Sequence, residues 1–434
     1  MKISTSAQIK SGFIYKILFI FLTTLNALIV IKILPSEQLG VWYVFMAIQA
    51  FILILNNALT PNITRQFSIG VAKANIDIIT YCNLIRRIYI YVAIIIAILS
   101  ILILFFYLEP TLHIFSKKLI FLGWVFLIIS ILFEVYYSLY ECALNGSGLF
   151  KETNKINFIS RIILTILTLF ILLENQKDDI NLTLFCLFYF LSNIYKRIKI
   201  KRLFFSTFKT SKNTALIKES IYNYHSNKKM LYYLVYLSFI SSVGGILITK
   251  SSLYILPYYS NLESIASYGL TYQLFEMGFN IIFILTTMLT PMLVNLYYHQ
   301  FEKIKSIYFK LKYFSLLAYV IGCIFIFYMA TPLLNILKVN TLILNQKQLF
   351  FLSIVFILQL NHSISGHILT IENKIPFAYP SFFSGLITLI LSLILIPIYH
   401  IDGAIYSILI SQLIFNNWFW PLKSYFFVRK KHEI

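Results

Sequence analysis

A small set of ionisable side chains stands inside long apolar runs of this chain: Lys16, Lys32, Glu134, Glu141, Arg161, Lys250 and Glu276. At bilayer depth each would cost at least about 2.5 to 3.5 kcal/mol, so such residues face a cavity, water or an opposite charge. Lys250, Lys32 and Arg161 supply fixed cations for an anionic group. Lys250 follows Ser241, Ser242, Gly244 and Gly245, small residues that leave room beside it or let helices approach closely. Lys32 stands nearer the end of its run and can reach the interface by stretching, an alternative that Lys250 shares. Arg161, near the inner end of its run, also suits simple anchoring on the cytoplasmic side. Glu276 sits mid-run, too deep for a short carboxylate to reach water, and must be neutral, paired or solvated. A carboxyl so placed can take and release a proton or act as the static partner of Lys250. Glu134 and Glu141 are seven apart and share one helix face with Ser138 between them.

The elements that position these residues follow from composition. Of 434 residues 59% are hydrophobic and 12% charged, more apolar surface than one soluble core can hide. Runs of roughly twenty apolar residues recur, the length of helix that crosses about 30 Å of hydrocarbon. They predict about twelve transmembrane helices, over 12–34, 39–60, 87–108, 119–142, 156–174, 180–197, 231–256, 264–296, 312–336, 348–370, 377–398 and 401–422. Short cytoplasmic loops retain Lys and Arg, so loop charge tests the count. With the N-terminus inside, Lys2, Lys10, Arg65, Lys73, Arg86, Arg87, Lys151, Lys155, Lys374, the run from Lys196 to Lys229, the cluster from Lys303 to Lys312 and Lys423 through Lys431 fall inside. Outside fall Lys117, Lys118, Lys177, Lys338 and Lys347 among acids that include Asp178, Asp179 and Asp402. Both termini are therefore expected in the cytoplasm. The formal net charge of +20 is explained by this asymmetry and by attraction of the basic stretch to anionic lipid, without nucleic acid as a partner. Cys82, Cys142, Cys186 and Cys323 show no disulfide framework, and His362 and His367 lie five apart, the wrong step for a metal on one helix face. Neither a metal nor a cofactor is implied.

Two passages repeat at an offset close to half the chain. Leu39-Gly40 and Leu59-Thr60-Pro61 bracket the second span, as Tyr268-Gly269 and Leu289-Thr290-Pro291 bracket the eighth. Asn145-Gly146 precedes Asn154-Lys155-Ile156, as Ser365-Gly366 precedes Asn373-Lys374-Ile375. The expected fold class is an all-α integral membrane protein: two six-helix bundles related by a pseudo-twofold along the membrane normal, with a central cleft. The expected domains are an N-terminal half, 1–197, a basic cytoplasmic linker, 198–230, and a C-terminal half, 231–434. Parallel repeats of this kind suit alternating access.

The chain also resembles the polysaccharide-unit flippases, the O-antigen branch of the superfamily that holds the multidrug and toxic-compound extrusion proteins. The resemblance rests on Leu34-Pro35-Ser36-Glu37-Gln38-Leu39-Gly40-Val41-Trp42, Asn56 to Arg65, Leu144-Asn145-Gly146, Ile248-Thr249-Lys250-Ser251 and Tyr268 to Leu274, in that order and spacing along essentially the whole chain. It implies translocation of an undecaprenyl-diphosphate-linked repeat unit across a bacterial inner membrane, with membrane lipids, a polysaccharide polymerase and chain-length machinery as further partners. Lys250, Lys32 and Arg161 would then meet the diphosphate, Glu276 and Glu134 would be coupling or cleft carboxylates, and Tyr137 and Tyr272 candidate sugar contacts. A cation- or proton-coupled drug extruder is the alternative; it would want deep acids in the first two spans, which lack them. A membrane polymerase is the second alternative, and the mostly short external loops argue against any such enzyme.

Overall fold

The computed structural model describes residues 6–72, 76–114, 117–174, 180–208, 214–339, 341–372 and 375–429. Of the loop charges named above, Lys2, Lys73, Lys177, Asp178, Asp179, Lys374 and Lys431 lie outside the described residues, as does Asn373.

Helices are the only regular elements among the described residues. In hydrocarbon a helix satisfies its own backbone, which is why apolar runs of this length adopt it. Helix α1 is Ser6–Ile33. Pro35 leads into α2, Ser36–Ile52, and a 48° bend at Leu53 redirects the chain into α3, Ile54–Ala72. Asp77 starts α4, Ile78–Ile103, by accepting the Thr80 N–H, and a π-helical turn joins it to α5, Glu109–Leu112. There follow α6 (Lys118–Gly146), α7 (Phe150–Glu174), α8 (Asn181–Thr207) and α9 (Thr214–Ile255). The last are α10 (Leu262–His299), α11 (Glu302–Ile336), α12 (Gln346–Ile368), α13 (Ala378–Ser411) and α14 (Asn417–Arg429).

Eight of these stretches are long and apolar enough to cross a membrane, or nine with bent α2 and α3 taken as one span. Helices α8 and α10 have the length as well, and Ala378–Arg429 divides at His400, whose φ of 50° interrupts the helix three residues after Pro397. With α8 and α10 counted on length alone, twelve helical stretches of spanning length stand among the described residues, the number of apolar runs read from the sequence, and the break at His400 falls between the two runs read at 377–398 and 401–422. Exposed stripes at helical spacing, such as Tyr91, Ile94, Ile98 and Ile101 on α4, present the apolar side chains that lipid covers.

The chain forms two compact units, Met1–Pro35 with Ile48–Phe239 and Ser36–Ala47 with Ile240–Ile434. Their boundaries fall at the start of α2, within α2 and within α9. The basic stretch 198–230, expected as a linker, is largely taken up by the end of α8 and the start of α9 within the first unit. It is packed there because its helix has a buried side: the Asp77 N–H donates to Ser220 Oγ at 2.6 Å, and Tyr224 meets the Tyr81 ring edge-on at 6.0 Å.

In the first unit α1 lies against α7, and α6 against α3, α4 and α8. Short polar side chains tie these contacts: Asn26 donates to Thr168 at 2.9 Å and Asn193 to Ser130 at 2.8 Å. In the second unit α12 lies against α10, α11, α13 and α14. There the two repeated glycines make close approaches. A Cβ on Gly40 would fall on the Leu262 carbonyl, and one on Gly269 on the Tyr43 ring. Gly40→Ala meets backbone that cannot swing aside and is expected to cost about 1 to 3 kcal/mol. Thermal unfolding in detergent checks it, with Gly322→Ala, where a Cβ meets nothing within 4 Å, as the neutral or stabilising control.

Candidate functional site

In the second unit Lys250 and Glu276 meet although 26 positions separate them. Lys250 Nζ lies 3.3 Å from both Glu276 oxygens. Tyr272, one turn before Glu276 on α10, is buried and places its ring 4.9 Å from the same amine. The neighbouring turn is held rigidly. Tyr43 OH donates to Gln273 Oε1 at 2.6 Å, Tyr319 OH donates to the Phe275 carbonyl at 2.9 Å, and Tyr272 packs on Phe356 at 4.9 Å. The ion pair itself is loose, because charge-assisted N–H···O bonds shorten to about 2.7 to 2.9 Å when unconstrained. Both partners stay partly accessible, the Lys250 side chain at 19% and Glu276 at 35%. An ammonium with three donors, an aromatic ring on one side and one long-range carboxylate on the other can exchange that carboxylate for another anion.

The first unit holds a tighter constellation. Arg197, at 2% exposure, spreads its guanidinium between Glu134 (Nη2–Oε1 2.9 Å) and Glu141 (Nη1–Oε2 2.6 Å). Lys196 Nζ stands 4.0 Å from Glu141, and Asn157 Nδ2 donates to its other oxygen at 3.1 Å. The seven-residue spacing does put Glu134 and Glu141 on one face, with Ser138 donating to Asn56 Oδ1 at 2.9 Å between them. That face is closed by Arg197.

Of the remaining candidates, Arg161 lies within electrostatic reach of Glu134 and Lys196. Arg161 places its guanidinium 5.0 Å from the centre of the Phe19 ring. Lys32 is exposed in the last turn of α1, and Lys16 is exposed on the same helix. Tyr137 is half-buried in a run of rings, stacked on Phe133 at 5.9 Å and edge-on to Tyr136 at 5.1 Å, with the Lys201 amine 5.5 Å from its centre. With Tyr136 it lines an apolar groove between α4 and α6. His362 Nδ1 is 3.2 Å from the Leu358 carbonyl, a bond along its own helix. Among the described residues no cluster of His, Cys, Asp or Glu is arranged to hold a metal ion.

Solved structures match this architecture over nearly its full length. A lipid II flippase, MurJ, in an inward closed conformation superposes with a TM-score of 0.66 at 14% identity, covering 98% of this chain and 88% of that one. An inward-facing multidrug resistance MATE family transporter of the MOP superfamily gives 0.64 at 12% identity, covering 94% of each chain. A MOP superfamily transporter from Pyrococcus furiosus, described as having a binding pocket of reversed polarity, gives 0.61 at 12% identity over 99% of both. The chain shares its fold with these transporters. No protein-family model matches the sequence, and no curated protein matches it.

Arg197 is the residue that sequence reasoning passed over, counting it among the loop charges of the run from Lys196. The signal was present in the two carboxylates on one face of α6: a pair of deep acids demands a deep cation, and Arg197, four residues past Asn193 on α8, is on the helix side that Asn193 turns to Ser130 of α6.

Proposed function

We propose that this protein is a flippase that carries a lipid-linked oligosaccharide, an isoprenoid diphosphate bearing one repeat unit, from the cytoplasmic to the outer leaflet of a bacterial inner membrane. The product feeds O-antigen or another surface polysaccharide, and both termini lie in the cytoplasm. The observation that carries the reading is Lys250: a cation within an apolar span, ringed by Tyr272 and only loosely held by Glu276. A diphosphate brings stronger and more numerous acceptor oxygens than one carboxylate and displaces it, with attraction strengthened by the low dielectric around the site. The fold supports the reading because one protein that shares it is a lipid II flippase. Arg197 is held by two carboxylates and takes a structural role, while Lys32, Arg161 and Tyr137 stand as secondary contacts on the substrate's path.

One observation favours a second reading, an extruder of cationic drugs. Glu276 is more exposed than Lys250 and could itself meet a cationic ligand. Deleting the gene in its native host separates the two. A flippase loss removes surface glycan and leaves lipid-linked repeat units accumulated on the inner leaflet, where they remain inaccessible to an external glycosidase. Unchanged surface glycan combined with increased sensitivity to quaternary ammonium drugs and dyes overturns the proposal in favour of the extruder.

A further inference from the structure

The second unit contains a cavity of about 260 Å³ with a mixed polar and apolar lining that lies among α9, α10, α12, α13 and the start of α14. Its polar wall includes Ser241, His362, Ser363, Ser381 and Asn416; Phe283, Phe377 and Trp420 supply aromatic surface. Three observations show a built site. First, Asn416 is 2% exposed and its Nδ2 has no hydrogen-bond partner, while its Oδ1 accepts from Ser384 Oγ at 3.2 Å. A buried amide donor left open costs free energy unless something fills its vacancy. Second, Asn416 ends a π-helical turn, Gln412–Asn416, and such turns shift one side chain out of helical register, frequently at functional sites. Third, Gly245 and Gly366 both line the space, and a Cβ on either would meet nothing within 4 Å. The cavity is therefore bounded on two sides by the absence of side chains.

The lining selects the ligand. It contains no Asp, Glu, Lys or Arg. A cation or a phosphate would lack a counter-charge there, at a depth where an unpaired charge is costly. A purely apolar chain would leave Asn416 and the serine hydroxyls unpaired. What fits is a neutral molecule rich in hydroxyl or carbonyl acceptors, with one apolar ring face to lay on an aromatic side chain. Its size is that of one sugar ring with a substituent: 260 Å³ equals the liquid volume of roughly nine waters. The geometry points to a binding site for a single neutral sugar residue, hexose or N-acetylhexosamine, in which Asn416 donates to a ring substituent and an aromatic wall takes the ring face. The inference rests on the flippase reading for its source of ligand, namely a sugar of the transported unit, and is independent of Lys250.

The test uses full-length protein in nanodiscs and the methyl glycosides of glucose, galactose and N-acetylglucosamine as probes, read by saturation-transfer NMR. At least one glycoside receives saturation from wild-type protein, and methyl phosphate and choline receive none. Gly366→Leu and Gly245→Leu, each placing a side chain into open space from a different helix, reduce the glycoside signal by about tenfold or more while the thermal midpoint stays near that of wild type. Absence of transfer to every glycoside in wild type means that the cavity holds water, and equal transfer in the filled variants means that sugar binds elsewhere; either overturns the inference. If one filled variant unfolds, the other decides. Surface-glycan export separates the two proposals. Normal export in both filled variants, with export lost in Lys250→Ala, rejects the sugar site and leaves the flippase standing. Sugar binding in wild type, together with unchanged surface glycan when the gene is deleted, does the reverse.

Discussion

Lys250→Ala is expected to lower surface-glycan export by about 10- to 150-fold at unchanged protein abundance. The figure follows from losing a charged hydrogen-bond donor to phosphate, about 1.5 to 3 kcal/mol, at about 1.4 kcal/mol per factor of ten. Removing the amine leaves Glu276 without its cation, but at 35% side-chain exposure the carboxylate is not sealed in the packed interior, so the fold is expected to survive. Lys250→Arg retains the charge and the contact with the Tyr272 ring, and is expected to fall between wild type and alanine. Glu276→Gln removes the competing anion and keeps a hydrogen-bond acceptor for Lys250. Under the flippase reading it lowers export less than Lys250→Ala does, and the order reverses for an extruder that grips its cation through Glu276. Immunoblots of surface glycan, normalised to the amount of membrane-inserted protein, read the series. Wild-type export from Lys250→Ala would remove this residue from the site.

Arg197→Met is expected to act on stability, with a loss of about 3 to 5 kcal/mol from breaking a buried ion-pair cluster at one partner. That is a large fraction of the 5 to 15 kcal/mol that typically separates folded from unfolded states, so abundance in the membrane should fall steeply. The cost arises because Glu134 and Glu141, only 24% and 18% exposed, would be left close together with Lys196, at 4.0 Å, too distant to replace a guanidinium bonded at 2.6 and 2.9 Å. Neutralising the carboxylates together with the arginine removes the unpaired charges. The triple variant Arg197→Met, Glu134→Gln, Glu141→Gln should recover most of the lost thermal midpoint. Fluorescence-detected size exclusion after a temperature ramp measures it. If the single and triple variants lose the same stability, the three residues do not act as one cluster.

The two clusters differ in how far they could be read from the chain. Depth alone singled out Lys250 and Glu276, since an amine and a carboxylate in apolar runs need partners, and Tyr272 followed from its place one turn before Glu276. Their meeting at 3.3 Å was one of two alternatives left open for Glu276. Glu134 and Glu141 were seen as one face, whereas their partner was missed because Arg197 stands at the charged end of its run and reads as a loop anchor. The cavity was not visible: His362 and Ser363 come from α12 and Asn416 from the π-helical turn before α14, and the polar residues of α12 read as a set of packing hydrogen bonds.

Helix positions, span number and the break at His400 are legible because hydropathy and helix geometry are local: twenty apolar residues in hydrocarbon have one way to satisfy their backbone. The rotation of each helix about its axis and the choice of its neighbours are set by close packing between residues far apart in the chain, such as Gly40 on Leu262 and Arg197 between Glu134 and Glu141. Hydropathy carries no information about that rotation, since lipid and a packed helix are nearly equally apolar surroundings. Folding in three dimensions therefore settled which deep charges are tightly paired, which pair stands at 3.3 Å, and where the chain divides into its two units.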